Sequence, residues 1–133
     1  MSESRSPFAY TVLRAVPRVE RGEFINVGVV LFCRERRFLR ARIGLDAARL
    51  QILAPESDAA EIRAQLEAIV RVADGDADAG PIARLSQSER FHWISSPHST
   101  IVQRSEAHTG LTDNPATTLE HLFRTLVLAP GSA

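Results

Sequence analysis

The sequence predicts an α+β fold, a mixed or antiparallel sheet of about four or five strands with helices gathered mainly on one face. Three observations predict it. The first third of the chain is dense in β-branched and aromatic residues with period-two alternation. Two later stretches repeat their apolar residues at helical spacing. The length of 133 residues, with 44% hydrophobic residues, suits one domain with one sizeable core. One domain over residues 1–133 is expected, with 1–7 and 130–133 as flexible ends.

Taken in order, Phe8 to Val16 reads as a first strand, with Phe8, Tyr10, Val12, Arg14 and Val16 on one side and a stop at Pro17. The segment Arg18 to Gly22 carries turn chemistry. Phe24 to Cys33 then runs apolar except for Asn26 and Gly28, the pattern of a central strand. After the charged turn Arg34 to Arg37, Phe38 to Ile43 alternates, placing Leu39, Ala41 and Ile43 opposite Phe38, Arg40 and Arg42. This is a third strand, paired with the second as a hairpin.

Asp46 caps a short helix through Leu53, and Ser57 caps a longer one to about Ala73, with Ile62, Leu66, Ile69 and Val70 as its buried stripe. Asp74 to Gly80 is a loop. Beyond Pro81, Phe91 to Ile94 and Thr100 to Gln103 read as two further strands. Thr117 or Thr118 caps a last helix whose core face is Leu119, Leu122, Phe123, Leu126 and Val127.

Composition then removes several function classes. A formal net charge of zero supplies no global field for nucleic acid, so nucleic-acid binding is disfavoured. The longest apolar run, Val27 to Cys33, is far too short to span a bilayer, and Met1 to Pro7 lacks the apolar core of a secretion signal. No membrane association is expected, and the cytoplasm is the default location. Cys33 is the sole cysteine, so an internal disulfide is impossible, and its place at the end of an apolar run marks it as core.

Catalytic and metal motifs are weak. Asp74, Asp76 and Asp78 imitate the first, third and fifth places of a calcium loop, but Ala79 stands where glycine is needed and Leu85 where a bidentate glutamate is needed. His92, His98, His108 and His121 have no metal-ligand spacing, so neither a metal nor a cofactor is expected. Ser95 to Ser99 lacks the flanking glycines of a nucleophile elbow.

Two segments concentrate polar groups. Glu20 to Gly28 packs two carboxylates, a guanidinium and an amide around the start of a buried strand. Either Glu23 and Asn26 satisfy backbone groups or pair with Arg14, Arg40 or Arg42, or they form a pocket for an anion, or for a metal held by Glu20 and Glu23. Arg90 to Gly110 contributes Trp93, Ser99, Gln103, Arg104 and His108, residues able to bind phosphate or carboxylate and equally able to serve as turn and strand-edge residues. The candidate polar site is therefore Arg14, Glu20, Glu23, Asn26, Arg40, Arg90, Ser99, Gln103 and His108. No catalytic residue is assigned.

The segments Tyr10 to Pro17, Arg18 to Glu23, Asn26 to Val29, Leu45-Asp46, Gly80-Pro81, Arg90 to Trp93, Ser99-Thr100, Gln103, His108 to Gly110 and the closing Leu119 to Val127 helix resemble a bacterial domain of unknown function, family 3037. One departure is His98, where relatives are expected to carry arginine. The resemblance implies no reaction. It implies a protein partner, since members resemble genomic neighbours of kinases of the high-persistence toxin type. Two functions follow as expectations: a non-enzymatic interaction or regulatory module, with a homo-oligomer also allowed, or an enzyme on a phosphorylated or nucleotide-like substrate. In the second, Glu20 or Glu23 is the base or metal ligand, and Arg14, Arg40 or Arg90 neutralises phosphate. Convergence of Glu23, Asn26, Arg90, Gln103 and His108 on one concave pocket is what the enzyme requires.

Overall fold

A computed structural model describes residues 4–97 and 100–128. Ser99 of the candidate site, His98 and the expected flexible end at 130–133 lie outside the described residues. Five strands, β1 (Ser6–Ala15), β2 (Ile25–Cys33), β3 (Phe38–Ile43), β4 (Val102–Arg104) and β5 (His108–Thr112), form one antiparallel sheet. The helices are α1 (Ala47–Leu53), α2 (Ala59–Asp74), α3 (Gln87–Ser95) and α4 (Pro115–Leu126). The chain is thus a single α+β domain.

The sheet runs β3-β2-β1, and the free edge of β1 is shared end to end by β4, opposite Leu13–Ala15, and β5, opposite Ser6–Tyr10. β1 begins inside the stretch expected to be flexible, and Ser6 is buried. Where β4 gives way to β5, Ser105 mends the ladder. Its amide donates to the Val12 carbonyl (2.9 Å), its hydroxyl accepts from the Val12 amide (2.9 Å), and its carbonyl accepts from the buried Thr11 hydroxyl (2.6 Å). A side chain replaces a missing backbone acceptor, so the polar groups buried at the break remain paired.

Helices cover both faces of the sheet, with three of the four described, α1, α2 and α3, on one face and α4 on the other. Leu50 of α1, Ile62, Leu66 and Ile69 of α2, and Phe91 and Ile94 of α3 pack with Leu13, Ala15, Val30, Leu39 and Ala41. On the opposite face, Leu119 and Phe123 of α4, with Val127 just beyond it, pack with Val29, Leu31 and Cys33. The reason lies in β2: an unbroken apolar run has no wet side, so both of its faces demand cover. Cys33 is fully buried in the second of these cores.

One irregularity sets which residues face which core. Leu13 pairs with Gly28 but Arg14 pairs with Asn26, leaving Val27 as the extra residue of a β-bulge. Val27 enters the α1–α3 core, and a Cβ on Gly28 would meet Leu13 and Ile43 of that core at 3.2 and 3.1 Å. Asn26 is thereby turned to the α4 side, where its amide donates to the Leu126 carbonyl (3.0 Å).

Two further expectations are corrected. Phe91 to Ile94 is helical, because Ser86 and Glu89 form a reciprocal capping box that starts α3, and Phe91 and Ile94 then fall three apart on its buried side. The caps of α2 and α4 are Asp58 and Asn114, in place of Ser57 and of Thr117 or Thr118. Asp58 accepts from the Ala60 and Glu61 amides, and Asn114 accepts from the Thr117 amide with Pro115 occupying the first turn. Asp46 caps α1 as expected.

Candidate functional site

The link from β1 to β2 turns through a 3-10 helix, Val19–Arg21, and closes on Gly22 in the left-handed conformation (φ 69°). Opposite it stands the C-terminal half of α1. Between them lies an open cleft of about 690 Å³ lined by Arg18, Arg21, Glu23, Arg49, Ile52 and Glu56, among others. Arg21 grips both oxygens of Glu23 (2.7 and 2.9 Å), Arg18 pairs with Glu56, and Arg49 donates to the Val127 carbonyl (3.2 Å). Hydrogen bonding from Arg21 holds the Glu23 carboxyl below its usual range, and hydrogen bonding from its own backbone amide, aided by Arg18, does the same for Glu56. Three guanidiniums against two carboxylates leave the cleft one positive charge. Apolar side chains line it as well, Ile25, Leu53, Pro55 and Ile52, the last at 85% exposure.

Glu20 sits on the exposed 3-10 turn, while Glu23 has both oxygens occupied by Arg21. Among the described residues no group of three or more His, Cys, Asp or Glu side chains is placed to hold a metal ion.

The other predicted residues are divided between the two faces. Gln103, Arg14 and Asn26 lie side by side across three strands, and Arg14 lays its guanidinium over the Phe24 ring at 4.3 Å. The Arg14 Nε and the Asn26 Oδ1 are buried without hydrogen-bond partners. Gln103 donates to the Thr100 carbonyl (3.0 Å). Farther along the same face, the His108 ring lies tilted against Tyr10 with centroids 5.2 Å apart, and Arg40 covers Phe38 at 5.2 Å. Arg90 belongs to α3 on the other face. It donates to the carbonyls of Leu85 (2.9 Å) and Ala73 (3.5 Å), bracing the end of α2 beneath Gly75, whose φ of 73° closes that helix. Arg14, Asn26 and Gln103 therefore come together; Glu23, Arg90 and His108 do not join them in one pocket.

A second cavity, about 350 Å³, opens between α2, the Pro81 turn, α3 and β4. Ile69, Val72, Ile82, Trp93 and Val102 make its walls, and Arg104 of β4 lines it too. Arg104 was visible in the sequence only as one of several polar residues in its segment. Its burial depends on β4 and α3 meeting, a contact with no local signal. Its Nε donates to the Ile94 carbonyl, and desolvation pulls its pKa down from the ordinary arginine value.

An antiparallel sheet with helices on both faces, one cleft at the strand ends and one groove along β4, defines a small α+β domain. The sequence profile of the family described as Protein of unknown function (DUF3037) matches residues 10–127, and the chain belongs to that family. No curated protein and no solved structure matches the chain. No helix of the described residues is long and apolar enough to cross a membrane.

Proposed function

We propose that the chain is a non-enzymatic interaction or regulatory module that docks a protein partner over the cleft between residues 18–25 and α1. The lining of that cleft carries the reading: Ile52, an exposed apolar side chain, stands with Leu53 and Pro55 beside three arginines. Arginine is enriched in protein interfaces, where apolar anchors desolvate neighbouring charges. The division of Glu23, Asn26, Arg90, Gln103 and His108 between the two faces of the sheet supports binding over turnover. The partner class proposed is a kinase of the high-persistence toxin type, acting with the module in the cytoplasm.

Affinity purification of the tagged chain from its native host, followed by mass spectrometry, tests this. A kinase of that type is expected with the wild-type chain and is expected to be lost with Ile52→Asp. It should be retained with Leu111→Asp, which places the same change on exposed β5. Recovery of no specific partner, or equal recovery with Ile52→Asp, overturns the reading.

A further inference from the structure

The groove along β4 holds a cation without a counter-charge. Arg104 is half-buried, and among the described residues its side chain makes one hydrogen bond, from Nε to the Ile94 carbonyl, and has no carboxylate within ion-pair distance. The four ion-paired arginines among the described residues, Arg18, Arg21, Arg42 and Arg71, are all well exposed, whereas Arg104 is half-buried. A desolvated guanidinium is costly unless an anion completes it. The other arginine on this groove, Arg71, is already bound to Asp76 (2.9 Å) and brings no free charge.

We propose that this groove is a binding site for a small amphipathic carboxylic acid, its carboxylate on Arg104 and its apolar body along Ile69, Val72, Ile82, Trp93 and Val102. The chemistry narrows the ligand. With Nε engaged, the two terminal nitrogens of Arg104 remain, and this planar pair of donors matches a carboxylate. One uncompensated positive charge selects a monoanion; a phosphate dianion would require further donors, and the remaining lining is dominated by apolar side chains. A volume of about 350 Å³ lies at the small end of ligand pockets and suits a medium-chain or aromatic acid. This site is separate from the cleft at the strand ends, and it stands or falls without the partner proposed there.

The chain carries its own reporter, since Trp93 is its single tryptophan and it lines the groove. Purified full-length protein is titrated with decanoate, with decan-1-ol as the uncharged control, while Trp93 fluorescence is followed. Saturable binding of decanoate is expected, with decanol weaker by about tenfold or more, since a charge-assisted hydrogen bond is lost. Arg104→Gln should weaken decanoate by a similar factor and leave decanol unchanged. Ala68→Phe, an exposed position on the groove wall, should block both ligands and keeps the test intact if Arg104→Gln does not fold. Absence of saturable binding, equal affinity for acid and alcohol, or undiminished decanoate binding by a folded Arg104→Gln or Ala68→Phe variant overturns the proposal.

Discussion

Asn26 and Glu23 lie three positions apart at the mouth of β2, and the structure gives them opposite fates. Glu23 is exposed and its pairing with Arg21 is solvated, so Glu23→Ala should leave stability nearly unchanged. Asn26 is half-buried and satisfies the carbonyl of Leu126 at the end of α4, so Asn26→Ala should cost on the order of 1–3 kcal/mol by stranding that carbonyl. Urea unfolding of the two variants checks the contrast, and equal midpoints would contradict it. From sequence alone both residues are polar groups beside an apolar strand. What separates them is a helix end 100 positions away, which no local pattern encodes.

At the scale of elements, β1, β2, β3 and the two long helices were legible because each carries its own periodicity over many residues. The failures fall where periodicity is short. Phe91 to Ile94 alternates no better than it repeats, and the deciding signal was the Ser86-to-Glu89 capping box upstream, which the sequence does contain. β5 was missed because His108 to Thr112 offers almost no apolar side chain; its strand form comes from pairing with β1. The start of α4 was also readable, in Asn114-Pro115. Replacing the observed cap, Asn114→Ala, should lower stability by about 0.5–2 kcal/mol, whereas Thr117→Ala should change it little. Thermal unfolding of the pair distinguishes the two, and the reverse order would return the cap to Thr117.

At the scale of the whole molecule, two hydrophobic cores sit back to back on one sheet, and β2 contributes to both. Damage to either should therefore be felt in the other. Phe123 is buried under α4, and Phe123→Ala should cost about 3–5 kcal/mol. Because Trp93 lies on the other side of the sheet, its fluorescence midpoint in urea should move together with the loss of circular dichroism. An unmoved Trp93 transition would mean that the two cores unfold separately. The candidate site was the least legible part: the sequence supplied Arg14, Asn26 and Gln103 as residue types, but not their alignment across three strands. It supplied Arg104 with no sign that β4 would carry it into an apolar groove.

The bulge at Val27 also bears on how this gene can change. Upstream and downstream of that residue, β2 keeps opposite parity between position number and sheet face, so Val27 works as a frame-shift within the fold. Substitutions in the strand alter one contact each. Loss of the Val27 codon would straighten the ladder, leaving Asn26 opposite Arg14 and Gly28 opposite Leu13 with their faces unchanged, and would empty the place that Val27 fills in the α1–α3 core. Descent with modification is therefore expected to keep an apolar residue at this extra place in the strand, and to put insertions in the Asp74–Gly80 loop, where no strand register is kept.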